Sequence, residues 1–428
     1  MRMQNNVKRF QILLLMVVCV LAGYAYGTRT VTLGWENYKP VLGIETKAPP
    51  PGQSIDFSLL YDVIDRVNRD YYDKSKVDSQ KLLYGAVSGM LESLDDPYTS
   101  FFPPKENDAF KTQMAGEFSG IGAELGMTSD KRITVISPLD DSPAQKAGIR
   151  SGDIIVKVND DETFGWSIQQ AVEKIRGEKG TQVTLSVLHD KAKSPVDIKV
   201  TRDTIKIDSV TAWVKKVQCS GDECNPAPAN CNNCSVVAYM RVSQFGDRTN
   251  DEWIKKVNDV YSQIQKENNV KGVVLDVRNN PGGYLTDAVF IASEFVDSGV
   301  IVRQEDGAGQ EAALSVSRKG LLLDVPLVVL INKGSASASE IVSGALRDHD
   351  RAQLIGETSF GKGTIQQALD VDAGSSIHLT IAKWLTPDGT WVHEKGLEPD
   401  IEVVYDQKKS DGKEFDNQLQ RAIQELLK

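Results

Sequence analysis

Three serines stand together in GSASASEI, residues 334–341, directly after the apolar run VPLVVLIN. Ser is a good N-cap and Ala a good helix former, so the stretch can simply start a helix. It can also place a nucleophilic hydroxyl where a strand gives way to a helix. Acyl transfer through serine needs a base to take its proton, donors for the developing oxyanion and a means of holding the chain. The candidate hydroxyls are Ser335, Ser337 and Ser339, and the base is a His or a Lys. His189 lies in a different part of the chain from these serines, and His349, His378 and His393 sit outside Gly-rich loops. His349, in RDHDRAQ, reads as a solvated turn, so a Ser-His-Asp triad is the weaker reading. Lys362 stands between two glycines in GETSFGKGTIQQAL, close behind Phe360. A lysine serves as a base only when desolvation has lowered its pKa. GKGT is no phosphate loop, because the pattern Gly-x-x-x-x-Gly-Lys-Ser/Thr is broken by Gly363.

Four more chemically capable residues crowd into CSGDECNPAPANCNNC: Cys219, Cys224, Cys231 and Cys234. An even cluster in an oxidising compartment suggests two disulfides. A four-thiolate zinc site needs two well-placed pairs, and here one pair is separated by four residues and the other by two. We expect disulfides and no metal. Bridging Cys231 to Cys234 closes a very short loop, so links between the two halves of the cluster are expected. Cys19 lies apart, inside the apolar run that follows the N-terminus.

That run, Ile12 to Ala25, is 14 residues long and is preceded by Arg2, Lys8 and Arg9 with no acid. It is shorter than the roughly 20 residues a spanning helix needs. With small residues such as Ala25 and Gly27 behind it, it fits an export signal, residues 1–27, and leaves open an uncleaved N-terminal anchor. The expected location is the periplasm or the extracytoplasmic face of the inner membrane. The net charge of −10 and the lack of a basic stripe argue against nucleic-acid binding.

At 428 residues the chain exceeds one ordinary core, so several domains must position these groups. Residues 28–55 are proline-dotted and read as a linker. Phe57, Leu60, Ile64 and Val67 begin a helical pattern that KLLYGAVSGMLESL repeats, giving a helical segment over 56–115 that DDPYTSFFPP ends. Short strands and turns follow: GEFSGIGAEL, RITVISP, SPAQKAGIRSGDIIVKVND, a helix in SIQQAVEKIRG, then TQVTLSVLHD and VDIKVTRD. After the cysteines, strands alternate with helices: SVVAYMRVS, TNDEWIKKVNDVYSQIQK, VKGVVLDVR, LTDAVFIASEFV, VPLVVLIN, ASEIVSGAL. This is α/β organisation, whose sites lie at the C-terminal ends of strands. NNPGG and GSASAS both occupy such ends.

Residues 118–205 resemble a PDZ domain, on Gly120–Ile121–Gly122 followed by SPAQKAGIRSGDIIVKVN. The resemblance implies binding of a peptide C-terminus as an added strand at Gly120, Ile121, Gly122 and Ala123. Arg176, ending the domain's helix, is a candidate for coupling ligand binding to the active site. DVRNNPGG, INKGSASASEIVSGALRDHDRA, GETSFGKGTIQ and TPDGTWVHEKGLEPDI then occur in order. Over about 56–404 the chain resembles the carboxyl-terminal processing peptidases, or tail-specific proteases.

That resemblance implies a serine endopeptidase with Ser337 as nucleophile, Lys362 as general base and Gln366 orienting the lysine. The N–H groups of Gly283 and Ala338 match the oxyanion hole, with Gly282 as a lesser substitute for Gly283. It implies a multidomain α/β fold: an N-terminal helical segment, a PDZ domain (118–205), an α/β catalytic core (206–404) and a C-terminal helical tail (405–428). The cysteine-bearing insertion, 218–235, departs from the family and is expected to project from the core. No cofactor is expected. Partners are proteins or peptides with accessible C-termini, with a homo-oligomer or an adaptor left open. The alternative is a proteolytically inactive PDZ scaffold or chaperone on a protease fold.

Overall fold

The structure is a computed structural model. It describes residues 56–428 except 129, 140, 190–191, 221–222, 229–230, 232–233, 372–373 and 407–415, together with the backbone of two strands nearer the N-terminus. The export-signal region lies outside the described residues. The chain divides by its internal contacts into residues 1–86 and 87–428.

In the first part, Thr30–Glu36 and Lys39–Glu45 form an antiparallel pair, so the span expected as a linker contains a hairpin. The helix Ser58–Asp70 follows, and the helix Ser79–Glu92 begins there. Ser58–Asp70 carries the expected apolar spacing but buries none of its residues.

The second part starts with the DDPYTSFFPP turn. Its Ser100–Phe102 is a short strand that pairs antiparallel with Ser376–Leu385, before the helix Pro104–Met114. A piece of the expected helical segment is therefore part of a sheet of the C-terminal body. Cross-strand pairing 276 residues away decides this, and a local pattern cannot show it.

Residues 117–206 form the PDZ domain. Val196–Thr201, Gln182–Leu188, Ile154–Val158, Ile133–Pro138 and Ala123–Met127 make an antiparallel sheet in that order. The helix Ile168–Ile175 packs on it, started by Ser167 and Gln170 in a reciprocal capping box. Ile133, Val135, Ile155, Val183, Leu185 and Ala171 are fully buried between them. Glu117–Gly120 pairs with Asp203–Lys206, so the chain comes in and goes out side by side.

Residues 210–402 build two further sheets. The larger runs Glu223–Pro226, Val210–Ser220, Ser235–Val242, Val270–Asp276, Leu327–Ile331, Gln353–Gly356, Ile401–Glu402, parallel from Ser235–Val242 onward. All five residues of Leu327–Ile331 are buried, as a continuous apolar run in a parallel sheet must be. Alternate side chains serve opposite faces. Val273, Leu275, Val329 and Ile331 pack with the helices Thr249–Ile264, Leu285–Ala292 and Ala338–Asp348. Val274, Val328 and Leu330 pack with Ala422 and Ile423 of the helix Asn417–Leu426. The expected C-terminal tail is thus a covering layer of the core. The smaller sheet runs Glu311–Ser315, Val300–Asp306, Ser376–Leu385, Thr364–Asp370.

The cysteines form two disulfides, but within each half of the cluster: Cys219–Cys224 and Cys231–Cys234. The expected cross-links are corrected by local geometry. Cys219 and Cys224 face each other across a hairpin, and the Cα atoms of Cys231 and Cys234 are 5.7 Å apart, an ordinary separation for a bridge. Nor does the hairpin project. It extends the large sheet, and Cys224 is buried, its N–H donating to Gln420 Oε1 at 2.6 Å.

Candidate active site

The strand Leu327–Ile331 ends at Asn332, whose side chain laces the two loops expected at the strand ends. Its Oδ1 accepts from Asn279 N at 2.8 Å and Gly334 N at 3.0 Å, and its Nδ2 donates to Asn279 Oδ1 at 2.9 Å. The three serines then separate by environment. Ser335 and Ser339 are fully buried and donate to the carbonyls of Val277 and Asn280, each at 2.8 Å. Ser337 is only half-buried. It occupies the N-cap position of Ala338–Asp348 with φ +55° and ψ −115°, a conformation that costs a non-glycine residue about 1–3 kcal/mol. Small neighbours are needed here because Gly282 lies against the turn. A Cβ on Gly282 would come within 2.7 Å of Ala336 O and 2.8 Å of Ser337 Cβ, and its φ is +100°.

Glu340 holds the turn in place. It is fully buried, and its carboxylate accepts four hydrogen bonds. Oε2 takes Ser337 N at 2.8 Å and Lys362 N at 2.9 Å, while Oε1 takes Gly361 N at 2.7 Å and Ser359 Oγ at 2.6 Å. One carboxylate oxygen therefore ties the serine turn to the lysine loop. Sequence reasoning missed Glu340, although Ser337 followed three residues later by Glu is the spacing of a capping box.

Lys362 lies in the loop joining the large sheet at Gly356 to the small sheet at Thr364. Burial pushes its amine below the ordinary lysine value, and the carboxylates of Asp96 and Glu340 oppose that push. Its Nζ sits 5.1 Å from the centroid of the Tyr98 ring and makes no hydrogen bond to Ser337 or Gln366. Gln366, on Thr364–Asp370, donates both amide protons, to Thr364 Oγ1 at 2.9 Å and Thr380 Oγ1 at 3.0 Å. Its carbonyl oxygen is what it can offer an amine.

Of the expected oxyanion donors, Gly283 N and Ala338 N donate to no acceptor among the described residues. Gly282 N is already taken by Asn280 Oδ1 at 2.9 Å, which counts against it as the substitute. The loop is anchored below by Arg278, buried and paired with Asp276 at 2.6 Å and Asp416 at 2.7 Å.

None of the four histidines hydrogen-bonds Ser337. His349 caps the far end of the helix that Ser337 begins, about 16 Å of helix away, and bonds Val300 O at 2.7 Å. His189 pairs with Asp153 in the PDZ domain. His378 lies between Phe102 and Phe110, and His393 stacks on Trp391. Among the described residues no cluster of His, Cys, Asp or Glu is placed to hold a metal ion.

In the PDZ domain, residues 120–123 line a cavity of about 160 Å³ with Val172, Ile175 and Arg176 of the facing helix. Arg176 lies over the Phe118 ring, 5.1 Å from its centroid. The structure thus puts Arg176 in the groove. Two larger hollows, each about 720 Å³, lie elsewhere on this domain and include none of the groups above.

Comparison with known proteins shows the family of this chain. The model of peptidase family S41 matches residues 236–403, a PDZ-domain model matches 134–188, and the model of the activating protease CtpB N-terminal domain matches 35–105. The carboxy-terminal processing protease CtpA of Bacillus subtilis is 34% identical over 401 residues, 94% of this chain and 78% of that protein. CtpB of the same organism is 36% identical over 340 residues, 79% of this chain and 65% of its own length. A solved structure from Bacteroides fragilis NCTC 9343, described as an S41 protease, matches with a TM-score of 0.54 at 16% identity, covering 89% of this chain and 98% of that one. At that identity the likeness concerns the fold alone.

Proposed function

This chain belongs to peptidase family S41, with the carboxy-terminal processing proteases as its relatives, and from that premise we propose that it is an exported serine endopeptidase working through a Ser337–Lys362 dyad. The observation that carries the reading is the shared Glu340 oxygen, which binds the backbone of both residues. Neutral Lys362 takes the proton of Ser337 as Oγ attacks the scissile carbonyl carbon. The oxyanion that forms is met by Gly283 N–H and Ala338 N–H, donors with no other work. The lysine ammonium then protonates the departing amine, leaving an acyl-serine. Water, deprotonated by the same lysine, attacks that ester and frees the new C-terminus. Gln366, its amide protons engaged, orients the amine through its carbonyl. The lysine–serine hydrogen bond is not made here, and catalytic hydrogen bonds often tighten only when substrate is present.

The PDZ groove is proposed to take the substrate's C-terminal tail, as its lining at residues 120–123 suits strand addition. Export is supported by the basic-then-apolar N-terminus and by two disulfides, which persist in oxidising compartments. No helix among the described residues is long and apolar enough to cross a membrane.

The test is covalent labelling by a fluorophosphonate with turnover of a tail-bearing protein substrate. Wild type should label and cut, and Ser337→Ala should do neither. A wild type that never labels would return the inactive scaffold as the reading.

A further inference from the structure

The DDPYTSFF turn carries polar groups that the dyad leaves unused. Asp96 organises the turn: Oδ1 accepts Tyr98 N at 3.0 Å and Oδ2 accepts the Thr99 hydroxyl at 2.7 Å. Thr99 Oγ1 accepts Thr380 N at 3.1 Å, and the Thr380 hydroxyl accepts Gln366 Nε2 at 3.0 Å. A continuous polar chain therefore runs from Asp96 to the glutamine of the site. From the same turn, the ring of Tyr98 lies against Lys362 Nζ.

We propose that Asp96 and Tyr98 are positioning residues of the Ser337–Lys362 pair. Asp96 holds the turn that sets the Tyr98 ring against Lys362 and, through Thr99 and Thr380, orients Gln366. The Tyr98 face holds the lysine in its protonated, resting form. This rests on the dyad reading above.

The charges around Lys362 support the assignment. The turn presents Asp96 and Tyr98, the nucleophile helix presents Glu340, and the strand Ser376–Leu385 presents His378. His393 packs against Tyr98 at 6.1 Å between centroids, with Glu394 beside it. Burial pushes Asp96 up, but hydrogen bonds from Thr380, Thr99 and Tyr98 and the nearby His393 outweigh it and hold the carboxyl below the usual range. Asp96 is thus an anion wherever the lysine titrates. Burial and the charge of Lys362 push His378 down, so it is neutral there. The carboxylates of Asp96 and Glu340 are what oppose the burial of the amine. Glu340 is fully buried and binds Ser337 N itself, whereas Asp96 is half-buried on a separate turn, so its charge can be removed without touching the serine turn. An aromatic face attracts an ammonium and not a neutral amine. Losing the proton therefore frees Lys362 from Tyr98.

The experiment is the pH dependence of kcat/KM for a fluorogenic peptide, with full-length protein and thermal melts as the check of folding. In Asp96→Asn the rising midpoint should move down by about one pH unit. Its plateau should fall several-fold as Gln366 loses alignment. Asp96→Glu, which keeps the charge, should hold the wild-type midpoint. Tyr98→Leu should move the midpoint down by about half a unit, and Tyr98→Phe should leave it in place. A lower plateau at an unmoved midpoint in Asp96→Asn makes the turn merely structural and overturns the proposal. If Asp96→Asn does not fold, Tyr98→Leu decides alone, and an unmoved midpoint there overturns it. Lys362→Ala separates the two levels. If that variant keeps its activity, the dyad reading fails. If it is dead and the midpoints above still do not move, only the present inference fails.

Discussion

Ser337 differs from Ser335 and Ser339 by environment and not by type. Its neighbours spend their hydroxyls on the carbonyls of Val277 and Asn280, while Ser337 stays half-buried at φ +55°. Glu340 sustains that backbone. In Glu340→Gln an NH₂ must face donors that the carboxylate accepted, leaving up to two buried N–H groups unmet, a loss of about 2–4 kcal/mol. A displacement of the turn by about 1 Å should cut turnover at least ~100-fold, read from kcat on protein still folded by circular dichroism. Lys362→Arg keeps a charge that cannot leave, so it should be as inactive as Lys362→Ala, and retained activity would move the base elsewhere. Wild-type activity should rise with pH through a value below that of free lysine, because burial of Lys362 favours its neutral form. Asp287, on the helix after the oxyanion loop, titrates the other way. Burial, with Asp247 adding to it, pushes its carboxyl up to about 6 from 3.8, against hydrogen bonds from Asn250 and Thr286. The folded state holds that proton more tightly than the unfolded chain, so this residue's cost is absent below about pH 4. It grows through pH 4–6 and is complete above 6. Asp287→Asn should therefore raise Tm at pH 7.5 and leave it unchanged at pH 4. Equal gains at both pH values would refute the assignment.

At the scale of elements, the cysteine hairpin and the C-terminal helix form one unit. Cys224 is buried against Ala422 and Ile423, and Gln420 accepts its N–H. The same helix begins at Asp416, which caps Leu419 N at 3.0 Å and pairs with the buried Arg278. Arg278 belongs to DVRNNPGG, so the helix supports the NNPGG loop. Asp416→Ala should cost about 2 kcal/mol, an N-cap plus a charge-assisted bond, measured by urea unfolding. Activity should fall with it if the loop shifts, and an unchanged midpoint in urea would show the contact idle. The NNPGG and GSASAS loops were legible as chemistry-bearing because each follows a buried strand run. The short strand Ser100–Phe102 was not, since three residues gain strand geometry only from their partner at Ser376–His378.

Across the molecule, backbone hydrogen bonds tie Met114, just before the PDZ domain, to residues 245–247 and these to the NNPGG loop. Asp247 N donates to Met114 O at 3.0 Å, Phe245 N to Gly282 O at 3.0 Å, and Tyr284 N to Phe245 O at 3.0 Å. Residues 245–247 thus bridge Met114 and the loop of Gly282 and Gly283. A substrate ending in a free apolar carboxylate should be cut faster than its amidated twin, which has lost the charge that loop N–H groups hold. Equal rates would remove the PDZ domain from recognition. Gly246→Ala tests this bridge, because a Cβ there would collide with Met114 O. It should lower activity on tail-bearing proteins with little change in PDZ peptide affinity, read by fluorescence anisotropy.

The sequence by itself determined the domain types, the strand-end location of both loops, and the candidates Ser337, Lys362, Gln366 and Gly283. The loop positions rest on short-range pattern, apolar runs and helical spacing, while the domain types and the candidate residues rest on motifs that resemble known families. Tertiary structure alone decided what joins distant segments. It placed Glu340 between Ser337 and Lys362, brought Asp96 and Tyr98 to the lysine, and seated the C-terminal helix under Arg278. It also paired each cysteine with its near neighbour, because a hairpin register sets Cys219 opposite Cys224. Contacts of that kind depend on which surfaces the packed sheets bring together, and no local stretch of chain encodes them.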